Sequence, residues 1–329
     1  YDRWELIPYS EMDDAWTFIS YGLAGMVTGR DSHVAIMSEN RPEWMVGYLA
    51  TLTAGAVAVP IDAVLGEIET SHILNHSGAE TIICSMRCYE TVSRILSEIP
   101  QLKNIVILDR NITIRHDHKG EGKGRHLADN GKKSNGHKNF FSYDDLREQG
   151  RKIMLRGDCR FPEKSVEDLA SIIYTSGTTG TAKGVMLTHR NIMANVNSVR
   201  RFILVESRDN FLLLLPLHHT FPFTICMVLP LSVGGAVSFV DIMSRDRTRL
   251  IGECKPTIMV GVPLLFSKIY KGIIRQIEVS KLKNFLFKYG GKKIIGAGLM
   301  RKLGGNLRIM VSGAAPMDPD VIEGYVNLG

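Results

Sequence analysis

An α/β fold of repeated strand–helix units, packed as two mostly parallel layered sheets, is what this sequence predicts. Three observations carry that expectation. Short apolar runs such as "HVAIM" (33–37), "TIICS" (81–85) and "NIVILD" (104–109) alternate with amphipathic stretches of helical length. The runs are apolar nearly throughout, as strands covered on both faces are. The rhythm also occurs twice, before and after a charged, glycine-rich stretch at about 110–139.

In chain order, "HVAIM" reads as a buried strand, and Asn40 to Pro42 opens a helix that ends at Gly55. "AVAVP" (56–60) is the next strand, closed by a proline that should not continue a central ladder. A helix near 66–76, the strand at 81–85, a helix over 88–98 and the strand at 104–109 follow. Residues 110–139 break the pattern and read as a solvated loop, with "FFSYDDL" resuming order. "LASIIY" is a strand and leads into a glycine-rich turn. "THRNIMANVNSVRRF" then reads as a helix capped by Thr188. Strands are expected at 210–215, 236–240, 257–260 and 306–311, with helices at about 222–233, 246–253 and 263–274. The lysine- and glycine-rich segment 275–305 has no clear period beyond a helix in "LKNFLF". The expected organisation is a first α/β subdomain over 1–165, with the charged loop inside it, and a second over 166–329.

Composition narrows the function classes. The 329 residues carry 44% hydrophobic and 22% charged side chains, ordinary for a globular chain of two or three packed units. Net charge is +6, and residues 109–140 supply +4 of it through eight Lys/Arg against four acids, which argues against a nucleic-acid face over the whole fold. That stretch also holds His116, His118, His126 and His137, without the carboxylate or cysteine pattern of a built metal site. The five cysteines, Cys84, Cys88, Cys159, Cys226 and Cys254, are odd in number and thinly spaced, so a reducing cytoplasm is expected rather than a disulfide framework. The longest apolar stretch, Ile225 to Val240, is broken by Pro230 and Gly234-Gly235 and is too short to span a bilayer.

The chemistry concentrates in Tyr174-Thr175-Ser176-Gly177-Thr178-Thr179-Gly180-Thr181-Ala182-Lys183-Gly184. Glycines let a backbone approach a phosphate chain, hydroxyls donate to its oxygens, and a lysine adds a point charge. The spacing is not that of the kinase or GTPase loop, which needs Ser or Thr after the lysine where this chain has Gly184. By residue type alone the stretch reads as a phosphate cradle or as a Gly/Thr surface turn. His219, in Pro216-Leu217-His218-His219-Thr220-Phe221, lies just past an apolar strand, where α/β proteins bind ligands. Ser312-Gly313-Ala314-Ala315-Pro316 also follows a strand and could pass a flat ring or form an ordinary turn.

"YTSGTTGTAKGVMLTH" resembles the signature loop of the acyl-adenylate-forming (AMP-binding) superfamily over its whole length. The branch most similar is the long-chain fatty acyl-CoA ligases. "NRPEW" (40–44), "LTAGAVAVPID" (52–62), "LPLHHTFPF" (215–223) and "VSGAAPM" (311–317) resemble further landmarks. The resemblance implies the fold of the large N-terminal domain of adenylate-forming enzymes, and ATP, magnesium and CoA as the small molecules. It implies that Ser176, Gly177, Thr178, Thr179 and Gly180 wrap the β- and γ-phosphates, with Thr175 or Ser176 near the metal and Lys183 adding to the grip. His219 becomes the acyl-site histidine, with His218 as its rival. Phe221, Phe223 and Val262 become acyl-channel lining, and Ser312, Gly313, Ala314, Ala315 and Pro316 the adenine loop.

The implied partners are a fatty acid and CoA or another pantetheine thiol, in the cytoplasm, with peripheral contact at the inner membrane face left open. Oligomeric state is left open too. A ligase for aryl or small acids and a non-catalytic nucleotide-binding module are the alternative readings. The superfamily's Tyr-Gly-x-Thr-Glu segment, later ribose aspartate and C-terminal lysine are not found before the last residues, "EGYVNLG". The expectation is therefore that this polypeptide alone forms acyl-adenylate poorly.

Overall fold

Strands form where the apolar runs lie, and the alternation of side chains along each run decides which layer it serves. The computed structural model describes residues 4–27, 32–110, 112–115, 125–128, 138–157, 159–175, 181–240 and 246–328. Its strands are β1 (His33–Met37), β2 (Val57–Ile61), β3 (Thr81–Cys84), β4 (Asn104–Ile107), β5 (Ile112–Arg115), β6 (Arg125–Ala128), β7 (Asn139–Ser142), β8 (Leu169–Thr175), β9 (Lys183–Thr188), β10 (Asn210–Leu213), β11 (Ala236–Phe239), β12 (Ile258–Gly261) and β13 (Ile309–Ser312). Its helices are α1 (Tyr9–Ala24), α2 (Pro42–Thr53), α3 (Glu67–Ser77), α4 (Met86–Arg94), α5 (Tyr143–Arg156), α6 (His189–Phe202), α7 (Thr220–Phe223), α8 (Leu229–Val233), α9 (Arg247–Cys254), α10 (Pro263–Val279), α11 (Lys281–Lys288), α12 (Lys292–Lys302) and α13 (Pro319–Leu328). A π-helical segment, Thr224–Val228, joins α7 to α8. The chain divides into two units, Tyr1–Ala194 and Asn195–Gly329.

The first unit is built on a seven-stranded sheet ordered β7-β4-β3-β1-β2-β8-β9, in which only β8 and β9 run antiparallel. Successive residues of each strand enter opposite layers. Ala35, Met37, Ile82, Cys84, Ile105 and Ile107 pack under α3 and α4 with Ile73, Leu74, Cys88 and Val92. Val34, Ile83, Val106 and Leu108 pack on the other face with Ala15, Ile19 and Leu23 of α1, Val46 and Ala50 of α2, and Leu146 of α5. Both faces are covered, which is why the runs show no polar alternation.

The second unit carries a four-stranded, fully parallel sheet ordered β11-β10-β12-β13. Its connectivity repeats that of the first four strands, since β4-β3-β1-β2 and β13-β12-β10-β11 have the same order. An ion pair between the buried Asp209 carboxylate and the exposed Arg308 guanidinium anchors its amino-terminal edge. The Asp209 carboxylate accepts from Arg308 Nε at 2.9 Å and Nη2 at 2.5 Å, from Thr257 Oγ1 at 2.8 Å and from the Glu206 amide at 2.8 Å. Burial alone would raise this carboxyl, but those hydrogen bonds bring it down to about 2.

Several local expectations are corrected. Pro60 lies inside β2, a central strand, rather than closing it. The ladder from β2 to β8 is reduced to the single pair Ala58↔Ser171, so the missing N–H is tolerated. Residues 183–188, not expected as a strand, form β9, and the first sheet thereby takes in residues beyond 166 that were assigned to a second subdomain. The stretch expected as loop includes the parallel pair β5–β6; the rest of 116–137 lies outside the described residues. The helix expected over 222–233 runs as α7, a π turn and α8. Leu229 donates to Thr224 O, and the wide turn falls just before Pro230, whose ring would crowd a regular turn. Thr188 does cap α6, accepting from the Asn191 amide at 3.2 Å. Among the described residues no helix is long and apolar enough to cross a membrane.

Candidate functional site

In the first unit the Ser/Thr/Gly loop is the turn of a hairpin. β8 and β9 pair Tyr174↔Gly184 and Thr175↔Lys183, so the hydroxyl and the cation sit opposite one another where the loop leaves the sheet. Both residues are exposed. Gly184 is needed for the strands to close: a Cβ there would lie 2.7 Å from Ile172 Cγ2 and 3.3 Å from Tyr174 Cζ. This steric demand explains a glycine where kinase-type loops carry Ser or Thr. Ser176, Gly177, Thr178, Thr179 and Gly180 lie outside the described residues.

Two histidines that the sequence reading passed over hold the stem of that hairpin. His72 and His76 stand one turn apart on α3, ring centroids 5.6 Å apart. His76 Nδ1 lies 2.7 Å from the Tyr174 hydroxyl, and His72 Nε2 lies 3.3 Å from Ala182 O. A carbonyl only accepts, so His72 Nε2 carries the proton. Burial raises the Tyr174 phenol, whose hydroxyl shares a hydrogen bond with His76 Nδ1. The i,i+4 spacing was visible in the sequence, but nothing in it pointed to a loop about a hundred residues on.

The second unit assembles its candidates at the carboxyl ends of β10, β12 and β13. The connections from β10 and β12 diverge there, which opens a crevice in such sheets. His218 is buried and His219 exposed; their Nε2 atoms are 3.1 Å apart and their ring centroids 4.0 Å apart. The His219 backbone is extended and precedes α7, accepting from the Phe223 amide at 3.1 Å. Val262, half-buried, occupies the equivalent place before α10, with Pro263 at the first helical position.

Gly313 follows β13, its amide donating to Gly261 O at 3.3 Å. A Cβ on Gly313 would lie 2.6 Å from Phe221 Cζ, so the glycine lets the ring lie against the backbone. Ala314 next to it has φ +67°, a left-handed conformation that costs a residue with a Cβ about 1–2 kcal/mol. Strain of this kind concentrates at ligand sites. Ser312, Ala314, Ala315 and Pro316 are exposed. Phe223 is only 2% exposed and packs as core, so of the two rings assigned to the acyl channel only Phe221 meets the crevice loop. A separate apolar cavity of about 100 Å³ lies between β12, β13, α10, α12 and α13, walled by Met259, Leu299, Met300, Leu303, Leu307 and Met310. Phe221, Phe223 and Val262 are not among its walls.

The cysteines offer no nucleophile of note. All five are free, and burial raises the thiols of Cys84, Cys226 and Cys254 and brings Cys88 to about 11. Among the described residues no three His, Cys, Asp or Glu side chains come together as a metal site.

A protein-family model described as AMP-binding enzyme matches residues 1–329. The peroxisomal long chain acyl-CoA synthetase 6 of Arabidopsis thaliana is 32% identical over 336 residues, covering 96% of this chain and 45% of the relative. The chain thus spans about half the length of the curated relatives it matches. Among solved structures, the adenylation domain of a carboxylate reductase from Mycobacterium chelonae superposes with a TM-score of 0.77 at 17% identity, over 97% of this chain and 49% of that one. A long-chain-fatty-acid-CoA ligase from Archaeoglobus fulgidus gives 0.72 at 20% identity, over 99% and 54%. At such identities these likenesses speak for the fold.

Proposed function

The chain belongs to the AMP-binding enzyme family, and from that premise we propose that it serves the ATP-dependent activation of a fatty-acid carboxylate. In that reaction a carboxylate oxygen attacks the α-phosphorus of ATP. The bond from that phosphorus to its bridging oxygen breaks, and pyrophosphate departs with the electron pair. The acyl carbon of the acyl-AMP is then attacked by the thiolate of CoA, and AMP leaves. Aryl or small acids remain the runner-up substrates.

The assigned roles follow the chemistry. The amides and hydroxyls of 175–180 and the Lys183 ammonium compensate charge on the leaving phosphates, which lowers the barrier without a side-chain nucleophile. His219 orients the carboxylate, Phe221 and Val262 border the acyl chain with Phe223 behind them in the core, and Ser312 to Pro316 receive the adenine. Magnesium fits only in part: Thr175, and Ser176 beside it, bring hydroxyl oxygens, and a hard cation takes its other oxygens from phosphates and water. When bound it would neutralise charge on the triphosphate. We place the protein in the cytoplasm, with peripheral contact at the inner membrane face, and without a nucleic-acid partner.

The observation that carries this reading is the loop motif mounted on a hairpin with Thr175 and Lys183 paired at its mouth. The fatty-acid assignment leans on the relatives' names. Pyrophosphate exchange and CoA-dependent AMP release, run with acids of about two to eighteen carbons, test it because pockets grade chain length only gradually. Turnover confined to short or aromatic acids would remove the fatty-acid assignment. Lys183→Ala should weaken ATP binding about tenfold or more through a lost charge-assisted contact. Unchanged ATP affinity in a folded variant would take Lys183 out of the site.

A further inference from the structure

We propose that the helical segment α10–α12 is a docking surface for an anionic phospholipid bilayer. Residues 263–302 hold ten Lys/Arg and a single acid, Glu278, a net charge of +9 in a chain whose total is +6. The rest of the sequence sums to −3, and this acidic balance concealed the concentration in the total. On α10 the exposed Leu264, Lys268, Lys271, Arg275 and Val279 recur at spacings of four, three, four and four, which is one stripe of a helix. On α11 Leu282, Phe285 and Tyr289 are 70%, 59% and 74% exposed at i, i+3, i+7, with the two rings 4.7 Å apart. On α12 Lys293, Ile294, Ala297 and Arg301 are exposed at helical spacing.

These apolar groups are not the ones that hold the segment to the sheet. The inner faces are already occupied: Phe266 and Ile277 are buried, and Phe266 O accepts from Tyr325 Oη at 2.9 Å. A Cβ on Gly296 would meet Leu328 O at 1.6 Å. The outer faces therefore carry a second apolar set outside the buried core, interleaved with cations that, among the described residues, form no ion pair. Scattered exposed apolar residues need no explanation, but rings and aliphatic groups repeated beside lysines on three consecutive helices do.

Charge decides the occupant. A second copy would bring +9 against +9. A nucleic acid would match the lysines but leave Val279, Leu282 and Ile294 without a use. A bilayer with anionic headgroups matches both, because cations meet the phosphates while short apolar groups and rings enter the headgroup–acyl boundary. This sharpens the membrane contact proposed above by naming its surface and lipid charge, and it rests on no catalytic step.

The test is co-sedimentation of the chain with phosphatidylcholine vesicles and with vesicles containing about one-third phosphatidylserine. Binding should favour the anionic vesicles by about tenfold or more and weaken when salt cuts the screening length to about 4 Å. K268E/K271E/R275E should abolish the preference, each cation being worth about fivefold. L282S/F285S/Y289S should weaken binding to anionic vesicles while keeping the salt dependence. Equal binding to both vesicles, binding to neither, a charge-reversed variant that binds like wild type, or displacement by RNA at stoichiometric amounts would each overturn the proposal. No ATP or acid enters the assay, so its failure leaves the activation reading standing, and the reverse holds.

Discussion

The two units share one strand order but use the carboxyl ends of their strands in opposite ways. In the first unit the crevice between β1 and β3 is closed by charges that satisfy one another. Arg41 meets Glu43 at 2.9 Å and Asp109 at 3.5 Å, Arg110 meets Glu43 at 3.1 Å, Ser85 donates to Glu39 at 2.8 Å, and Asp109 accepts from the Met86 amide at 2.6 Å. In the second unit the same positions hold two histidines, a valine, a glycine and a strained alanine. Its ion pair with a buried carboxylate, Asp209 with Arg308, sits at the opposite, amino-terminal edge. One copy of the architecture thus spends its ligand crevice on stability. The other keeps stabilising charge away from the end where ligands bind in such sheets. The "NRPEW" landmark accordingly reads as scaffold: Pro42 starts α2, Arg41 and Glu43 join the charge network, and Trp44 stacks on Tyr48 at 5.5 Å.

The largest expected effect tests that separation. Asp209→Ala strips a buried carboxylate from Arg308, Thr257 and the Glu206 amide, and because Arg308 is left partly in solvent it should cost about 2–3 kcal/mol, read by urea unfolding. The wild-type pair has a pH signature. The folded carboxyl titrates at about 2 against an ordinary 3.8, so its stabilisation is complete above about pH 4 and drains away as pH falls toward 2. That contribution is of order 2 kcal/mol, and it should be missing from the acid limb of the variant's pH–stability curve. A variant as stable as wild type would mean that the amino-terminal edge does not carry the second unit.

Next in size is Gly313→Val, which drives a branched side chain into the Phe221 ring. A loss of about 1–3 kcal/mol is expected from overpacking, together with weaker nucleotide binding. The double variant Gly313→Val/Phe221→Ala should recover part of both losses, because the clash then has no ring to meet. Recovery of neither would separate the adenine loop from the aromatic side chain that the geometry pairs with it.

How much of this was legible beforehand depends on the range of the interaction. Apart from β5, β6, β7 and β9, strand positions and the Thr188 cap are written in neighbouring residues, and the local pattern placed them. β9 was not legible, because "KGVMLT" is half exposed and half only partly buried and begins at a lysine that the loop needs, so it shows no buried face. Pro60 misled because a local rule met a strand whose outer ladder is a single pair. The Asp209–Arg308 clamp joins residues 99 apart, and no local pattern announces it. The crevice histidine and glycine loop were found through motif resemblance. Their closeness to one another needed the strand order, since β12 lies between β10 and β13.

The smallest expected effect concerns the first unit, where candidate function sits at the β8–β9 hairpin rather than in the crevice. His76→Phe keeps a ring on α3 but removes the partner of the Tyr174 hydroxyl, and His72→Phe removes the donor to Ala182 O. Each should cost less than about 1 kcal/mol of stability, because the groups left behind are near solvent and can find water. If the stem contacts set the loop's position, ATP affinity should still fall by about threefold to tenfold, with the two effects more than additive in the double variant. A loss of stability without loss of affinity would make α3 part of the scaffold, like the ion pairs at the far end of its own sheet. Loss of affinity with stability intact would show that this unit, too, keeps its binding element apart from the charges that hold it together.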